Sequence, residues 1–124
     1  GAASFMVGMP NYPAIYAIGA ALGYIQSVGV REIDDYARPL VMACLSGLRQ
    51  LPVDLLTPDE PDALAGILAF RHPDADRINR ALHEQDIHIM NHAGRLRIAI
   101  HGYNTMSDIE RLLQALGDLL GREQ

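Results

Sequence analysis

Apolar residues recur along this chain with two different periods, and the switches between them mark its elements. From Ala14 to Val28 the sequence is almost wholly apolar, with Ile15, Ile18, Leu22 and Ile25 at helical spacing. Pro13 suits the first turn of that helix and Gly29 stops it. The run is broken too soon by Gln26 and Ser27 for a bilayer span of about 20 residues, so it predicts a buried core helix. Small residues at Gly19, Ala20 and Gly23 would let another helix approach closely. Arg31 to Leu51 then places Ile33, Tyr36, Leu40, Cys44, Leu45 and Leu48 on one stripe, an amphipathic helix in which Pro39 predicts a kink or an early break.

Beyond Leu51 the period shortens. Val53 to Leu56 is a short strand, followed by a turn-rich, charged surface loop from Thr57 to Asp62. Gly66 to Arg71 is an apolar run of strand length, and Pro73 and Asp74 open a helix to about Gln85 with Ile78, Ala81 and Leu82 facing in. Ile87 to Met90 is the third strand, Asn91 to Gly94 a tight turn, and Leu96 to Ile100 the fourth strand. In that last strand Leu96, Ile98 and Ile100 alternate with Arg95, Arg97 and Ala99, which predicts one buried face. The final helix, Ser107 to Leu120, repeats Ile109, Leu112, Leu113, Leu116 and Leu120 on one side. Thr105 stands where it can cap that helix, with Asp108 returning a bond to the capping backbone. The pattern predicts an α+β fold, a small two-layer sandwich with helices packed on a mainly antiparallel four-stranded sheet. An extended segment over 1–13 would precede a single domain over 14–124.

Composition narrows the partners. A length of 124 residues suffices for one domain with a real core. A net charge of −5 and a pI near 5.4 leave no basic field for nucleic acid, and the hydrophobic fraction of 49% with a mean hydropathy of +0.05 fits a globular domain outside the membrane. The one cysteine, Cys44, excludes an intrachain disulfide framework and agrees with a reducing, cytoplasmic setting. On an apolar helix face it reads as a small core residue. The opening Gly1-Ala2-Ala3-Ser4 lacks the basic region of a secretory leader. All ten basic residues are arginine, so no side-chain amine exists to form a Schiff base.

The strongest chemical signal is the strand that carries Arg95 and Arg97. A planar guanidinium projecting from a strand, close to a helix start, is suited to gripping a carboxylate through two parallel hydrogen bonds; the bland alternative is an arginine on a solvated sheet face. Five histidines raise the question of metal, but His88 and His92 are too far apart on strand and turn to share an ion, and no Cys or acidic partner stands at ligand spacing. There is no glycine-rich phosphate loop, since Gly8-Met9-Pro10-Asn11 is too short, and no nucleophile triad.

Three runs together resemble a known family: Phe5-x-x-Gly8-x-Pro10-Asn11-Tyr12-Pro13 ahead of an Ala-rich helix, Gly66-Ile67 opening a strand, and Leu96-Arg97 with Tyr103-Asn104-Thr105 before the last helix. They are similar to the C-terminal small domain of class V pyridoxal-phosphate enzymes, the relatives of cysteine desulfurases, isopenicillin epimerase and kynureninase. The resemblance implies the small-domain type of the fold-type I enzymes, and a role for Arg97 in binding the α-carboxylate of a small amino-acid substrate. It also implies a cofactor-phosphate contact at Gly8 and Met9. Four departures accompany it. Met6 and Met9 stand where the family carries Glu and a phosphate-binding Thr, and Ala99 where Ser is common. The Asn91–Gly94 loop has no room for the nucleophilic cysteine of desulfurases, and the cofactor lysine with its large domain lies outside these residues.

Two functions follow as expectations. In the first, the chain is the small domain of such an enzyme, inactive alone and binding no pyridoxal phosphate by itself, partnered by a large catalytic domain or by further copies in a homo-oligomer. In the second, it is a free-standing binding or oligomerisation module that keeps the fold without the chemistry.

Overall fold

The computed structural model describes residues 8–58, 60 and 63–121. Eight elements follow in the order helix, helix, strand, strand, helix, strand, strand, helix, as the periodicity predicts. They are α1 (Tyr12–Val28), α2 (Val30–Leu48), β1 (Asp54–Leu55), β2 (Ile67–Arg71), α3 (Ala75–His83), β3 (Met90–His92), β4 (Arg95–Ala99) and α4 (Met106–Leu120). Phe5, Met6 and most of the segment expected to be extended lie outside the described residues, and the helix is already under way at Tyr12. The chain divides into two compact units, one through Ile33 and one from Asp34.

In the first unit, Asn11 caps α1 by accepting from the Ala14 N–H at 3.2 Å. Gly29, at φ 101°, separates α1 from α2 in a conformation that strongly favours glycine. The expected burial of this helix is not found: no residue of α1 is buried. Ile15, Ile18 and Leu22 each keep more than half of their surface exposed. The pattern argument holds for a helix apolar on all sides, but what covers such a helix must come from outside it. Among the described residues no single helix is long and apolar enough to cross a membrane.

The second unit is the α+β sandwich. Its four strands are all antiparallel, in the order β1-β2-β4-β3. Leu68 and Phe70 of β2 and Leu96 and Ile98 of β4 turn to one face. There they join Leu40, Cys44, Leu45 and Leu48 of α2, Ile78 and Leu82 of α3, and Ile109, Leu112, Leu116 and Leu120 of α4 in a single core. Burial of α2 begins only at Leu40, so Ile33 and Tyr36 stay exposed, and the helix continues through Pro39 rather than breaking there.

The third strand lies later than its sequence pattern indicates, at Met90–His92 instead of Ile87–Met90. The cause is the hairpin. His92 pairs with Arg95, so only Ala93 and Gly94 form the loop, both at positive φ (51° and 72°), the geometry of a two-residue turn that continues the strands' twist. Upstream, Asp86 at φ 55° leads out of α3, and the Ile87 N–H returns to the Leu82 carbonyl at 2.9 Å, so Ile87 belongs to the helix stop.

Candidate functional site

The sheet has one face under the helices and one open. On β4 the alternation puts Arg95 and Arg97 on the open face, both exposed. Register then sets their neighbours. Arg97 lies between Ala69 of β2 and Met90 of β3, whereas Arg95 lies between Arg71 of β2 and His92 of β3. Asp54 of β1 pairs with Arg71 at the far edge of that second row. Among the described residues none of Arg71, Arg95 and Arg97 makes an ion pair or a hydrogen bond to an acidic side chain. Arg95 and Arg97 border an open cavity of about 310 Å³ whose other walls are Leu56, Ala69, Met90 and His92. That volume falls at the lower end of small-molecule sites, about 300–1,000 Å³. The arrangement offers two uncompensated guanidinium groups over a mostly apolar floor, a setting for an anionic group attached to a short hydrocarbon body.

The sheet holds its position through local bonds. The Ala69 N–H donates to Thr57 Oγ1 at 2.8 Å, so a side chain continues the edge hydrogen bonding beside Ala69. Past β4 the chain turns sharply at Gly102. Asn104 folds back, its Oδ1 accepting from the His101 N–H at 2.8 Å, and the Tyr36 hydroxyl of α2 donates to the Asn104 carbonyl at 2.7 Å. The expected capping box is present. Thr105 Oγ1 accepts from the Asp108 N–H, and the Thr105 N–H donates to Asp108 Oδ2 at 2.8 Å. Donation from the Thr105 backbone, and then from its hydroxyl, holds the Asp108 carboxyl below the usual carboxylate range.

A second cavity, of about 160 Å³, lies between β4 and the start of α4, where His88, Asn104, Asp108 and Arg111 meet Ile98 and Ile100. Two of its charged groups are engaged: Asp108 in the capping box, and Arg111 donating to the Gln85 carbonyl. Among the described residues no group of three or more His, Cys, Asp or Glu could hold a metal ion.

Cys44 is fully buried in the core, and burial pushes its thiol up to about 12. It therefore has neither the exposure nor the ionisation of a sulfur nucleophile. The residues present do not fit pyridoxal phosphate. The chain has no lysine to carry the aldehyde, and Met9, 90% exposed ahead of α1, has no side-chain donor for a phosphate. Gly8 beside it stands in open space. What the sequence reading missed is Arg95 as a partner of Arg97. The signal was its place two residues earlier on the same strand face; its neighbours across the ladder, Arg71 and His92, become visible only once the register is known.

Comparison with known proteins bears on the family and the fold. The aminotransferase class-V family profile matches residues 2–112. A probable cysteine desulfurase of Pyrococcus abyssi is 28% identical over 94% of the chain, and a cysteine desulfurase of Pectobacterium carotovorum is 32% identical over the same share. The chain spans about a third of the length of each, 33% in both cases. Among solved structures, the apo cysteine desulfurase of Thermococcus onnurineus superposes with a TM-score of 0.81 over 95% of this chain and 33% of its own, at 22% identity, a likeness of fold.

Proposed function

Given that the chain belongs to the aminotransferase class-V family, we propose that it serves as the C-terminal small domain of a pyridoxal-phosphate enzyme, with Arg97 holding the carboxylate of a small amino-acid substrate. The observation that carries this reading is the placement of Arg97. It is exposed on the open sheet face, flanked across the ladder by Ala69 and Met90, without an acidic partner among the described residues, and at the rim of a cavity of small-molecule size. A guanidinium that served only to solvate the sheet would have no need of an apolar cradle.

The chain binds and orients; it does not carry the reaction. The cofactor, when bound in the parent enzyme, supplies the electron sink, and the amine that tethers it comes from the remaining two-thirds of such an enzyme. That same remainder, or a second copy of this chain, covers the apolar circumference of α1. Sulfur abstraction is disfavoured, because Cys44 is sealed in the core and the β3–β4 turn is two residues long. The domain's place is the cytoplasm, in keeping with its lone reduced thiol.

The test is a carboxylate titration of the chain, following the β4 amide and arginine side-chain signals by NMR with butyrate as the probe. Arg97→Ala is expected to weaken binding at least about five-fold, the size of one exposed charge-assisted contact. Binding unchanged in Arg97→Ala refutes the site and leaves a binding or oligomerisation module that has kept the fold alone, the reading that Met9 and Ala99 favour.

A further inference from the structure

The geometry points to a second anion subsite at Arg95, so that the substrate accepted by this face is a dicarboxylate, an amino acid whose side chain ends in its own acid group. The inference rests on the reading of Arg97 as the first carboxylate anchor and adds to it the chemical class of the substrate.

Three observations carry it. First, Arg95 and Arg97 are two residues apart on one strand, so they leave the same face about 6.6 Å apart along β4 and open on one cavity. The extended backbone of a short α,ω-dicarboxylate bridges such a separation, with its methylenes over Ala69, Leu56 and Met90. Second, Arg95 faces Arg71 directly across the ladder on one side and an imidazole, His92, on the other. Like charges directly opposite each other destabilise a sheet; Asp54 lies across from Arg71 on its other side, but among the described residues neither Arg71 nor Arg95 forms an ion pair with an acidic side chain. An anion seated at Arg95 removes that repulsion, whereas one at Arg97, between Ala69 and Met90, gains only the direct contact. Third, the chain carries a net charge of −5, yet on the paired strand positions of this face Arg71, Arg95 and Arg97 stand with Asp54 as the one carboxylate among the described residues. The positive field is local to the cavity and too small for a polyphosphate chain, which matches a compact dianion.

The experiment compares glutarate with butyrate, which share a three-carbon body bearing a carboxylate and differ by a second carboxylate at its far end, in NMR titrations of the 124-residue chain. Glutarate is expected to bind about five-fold more tightly. Arg95→Gln, at an exposed strand position, is expected to bring glutarate down to the butyrate level, and Arg95→Glu to take it lower still. Glutarate no tighter than butyrate, with Arg97→Ala still weakening both, overturns the second subsite and leaves the first. Butyrate and glutarate both indifferent to Arg97→Ala overturns the two together. Sulfate binding as tightly as glutarate, and lost equally in Arg95→Gln and Arg97→Ala, assigns a general anion patch and also overturns the dicarboxylate reading.

Discussion

Whether this chain can supply a sulfur nucleophile turns on Cys44, its one cysteine, and the prediction can be given a size. The thiol has no exposed surface, and desolvation raises its pKa from 9.0 to about 12. At about pH 8 that leaves roughly one thiol in ten thousand ionised in the folded chain, against about one in ten at the ordinary value, a suppression of about a thousand-fold before steric access is counted. Reaction with an aromatic disulfide reagent is therefore expected to proceed through unfolding, at a rate that rises with urea. The same shift has a signature in stability. A group whose folded pKa is raised contributes fully below its unfolded value and loses that contribution as pH climbs through the folded one. Stability is thus expected to fall between pH 9.0 and about 12, by about 1.4 kcal/mol per pH unit. Cys44→Ala, which costs about 1 kcal/mol in lost packing, supplies the control: every other side chain is common to both proteins, so the pH dependence of the difference between their urea midpoints isolates the thiol. Labelling of the folded protein at the rate of a free thiol, or an identical alkaline slope in Cys44→Ala, refutes the reasoning.

Three further outcomes are expected. Thr105→Ala removes the cap of α4 and should cost about 1 kcal/mol in urea unfolding. Asp108→Asn should flatten the acid limb, because a carboxyl held below its ordinary range stabilises the fold above that range and loses the effect as pH falls through its folded value, a difference read from paired midpoints in acid. The isolated chain should self-associate in light scattering through Ile15, Ile18 and Leu22 of α1, and Ile18→Glu with Leu22→Glu should reverse it; a wild-type monomer that binds no apolar dye refutes this.

Much of the fold was legible because its signals are local. Leu96, Ile98 and Ile100 alternate with Arg95, Arg97 and Ala99 over one short stretch, and the alternation alone separates core from open face. The capping box of Thr105 and Asp108 is spelled within four residues. The third strand was misplaced for the opposite reason. Its position follows from Ala93 adopting a positive φ, which a non-glycine residue takes at a cost of about 1 kcal/mol and which nothing in its identity announces. α1 shows a further kind of limit: an apolar circumference states that a helix must be covered, and says nothing about what covers it.

The candidate site divides along the same line. Arg97 could be singled out as a candidate only through the family resemblance carried by Leu96-Arg97 and Tyr103-Asn104-Thr105, since a guanidinium on a strand close to a capped helix describes Arg95 as well. Its surroundings could not, since Arg71 and Arg95 are 24 residues apart in the chain and become neighbours only through the order β1-β2-β4-β3. That order gives Arg97 two apolar neighbours and Arg95 two basic ones. The same side chain, two residues along the same strand, is thereby put to different work. In the proposed site the apolar neighbours of Arg97 leave its guanidinium as the anchor for a carboxylate. At the proposed Arg95 subsite a bound anion would offset the repulsion from Arg71, so such a ligand should stiffen β4 as well as bind to it.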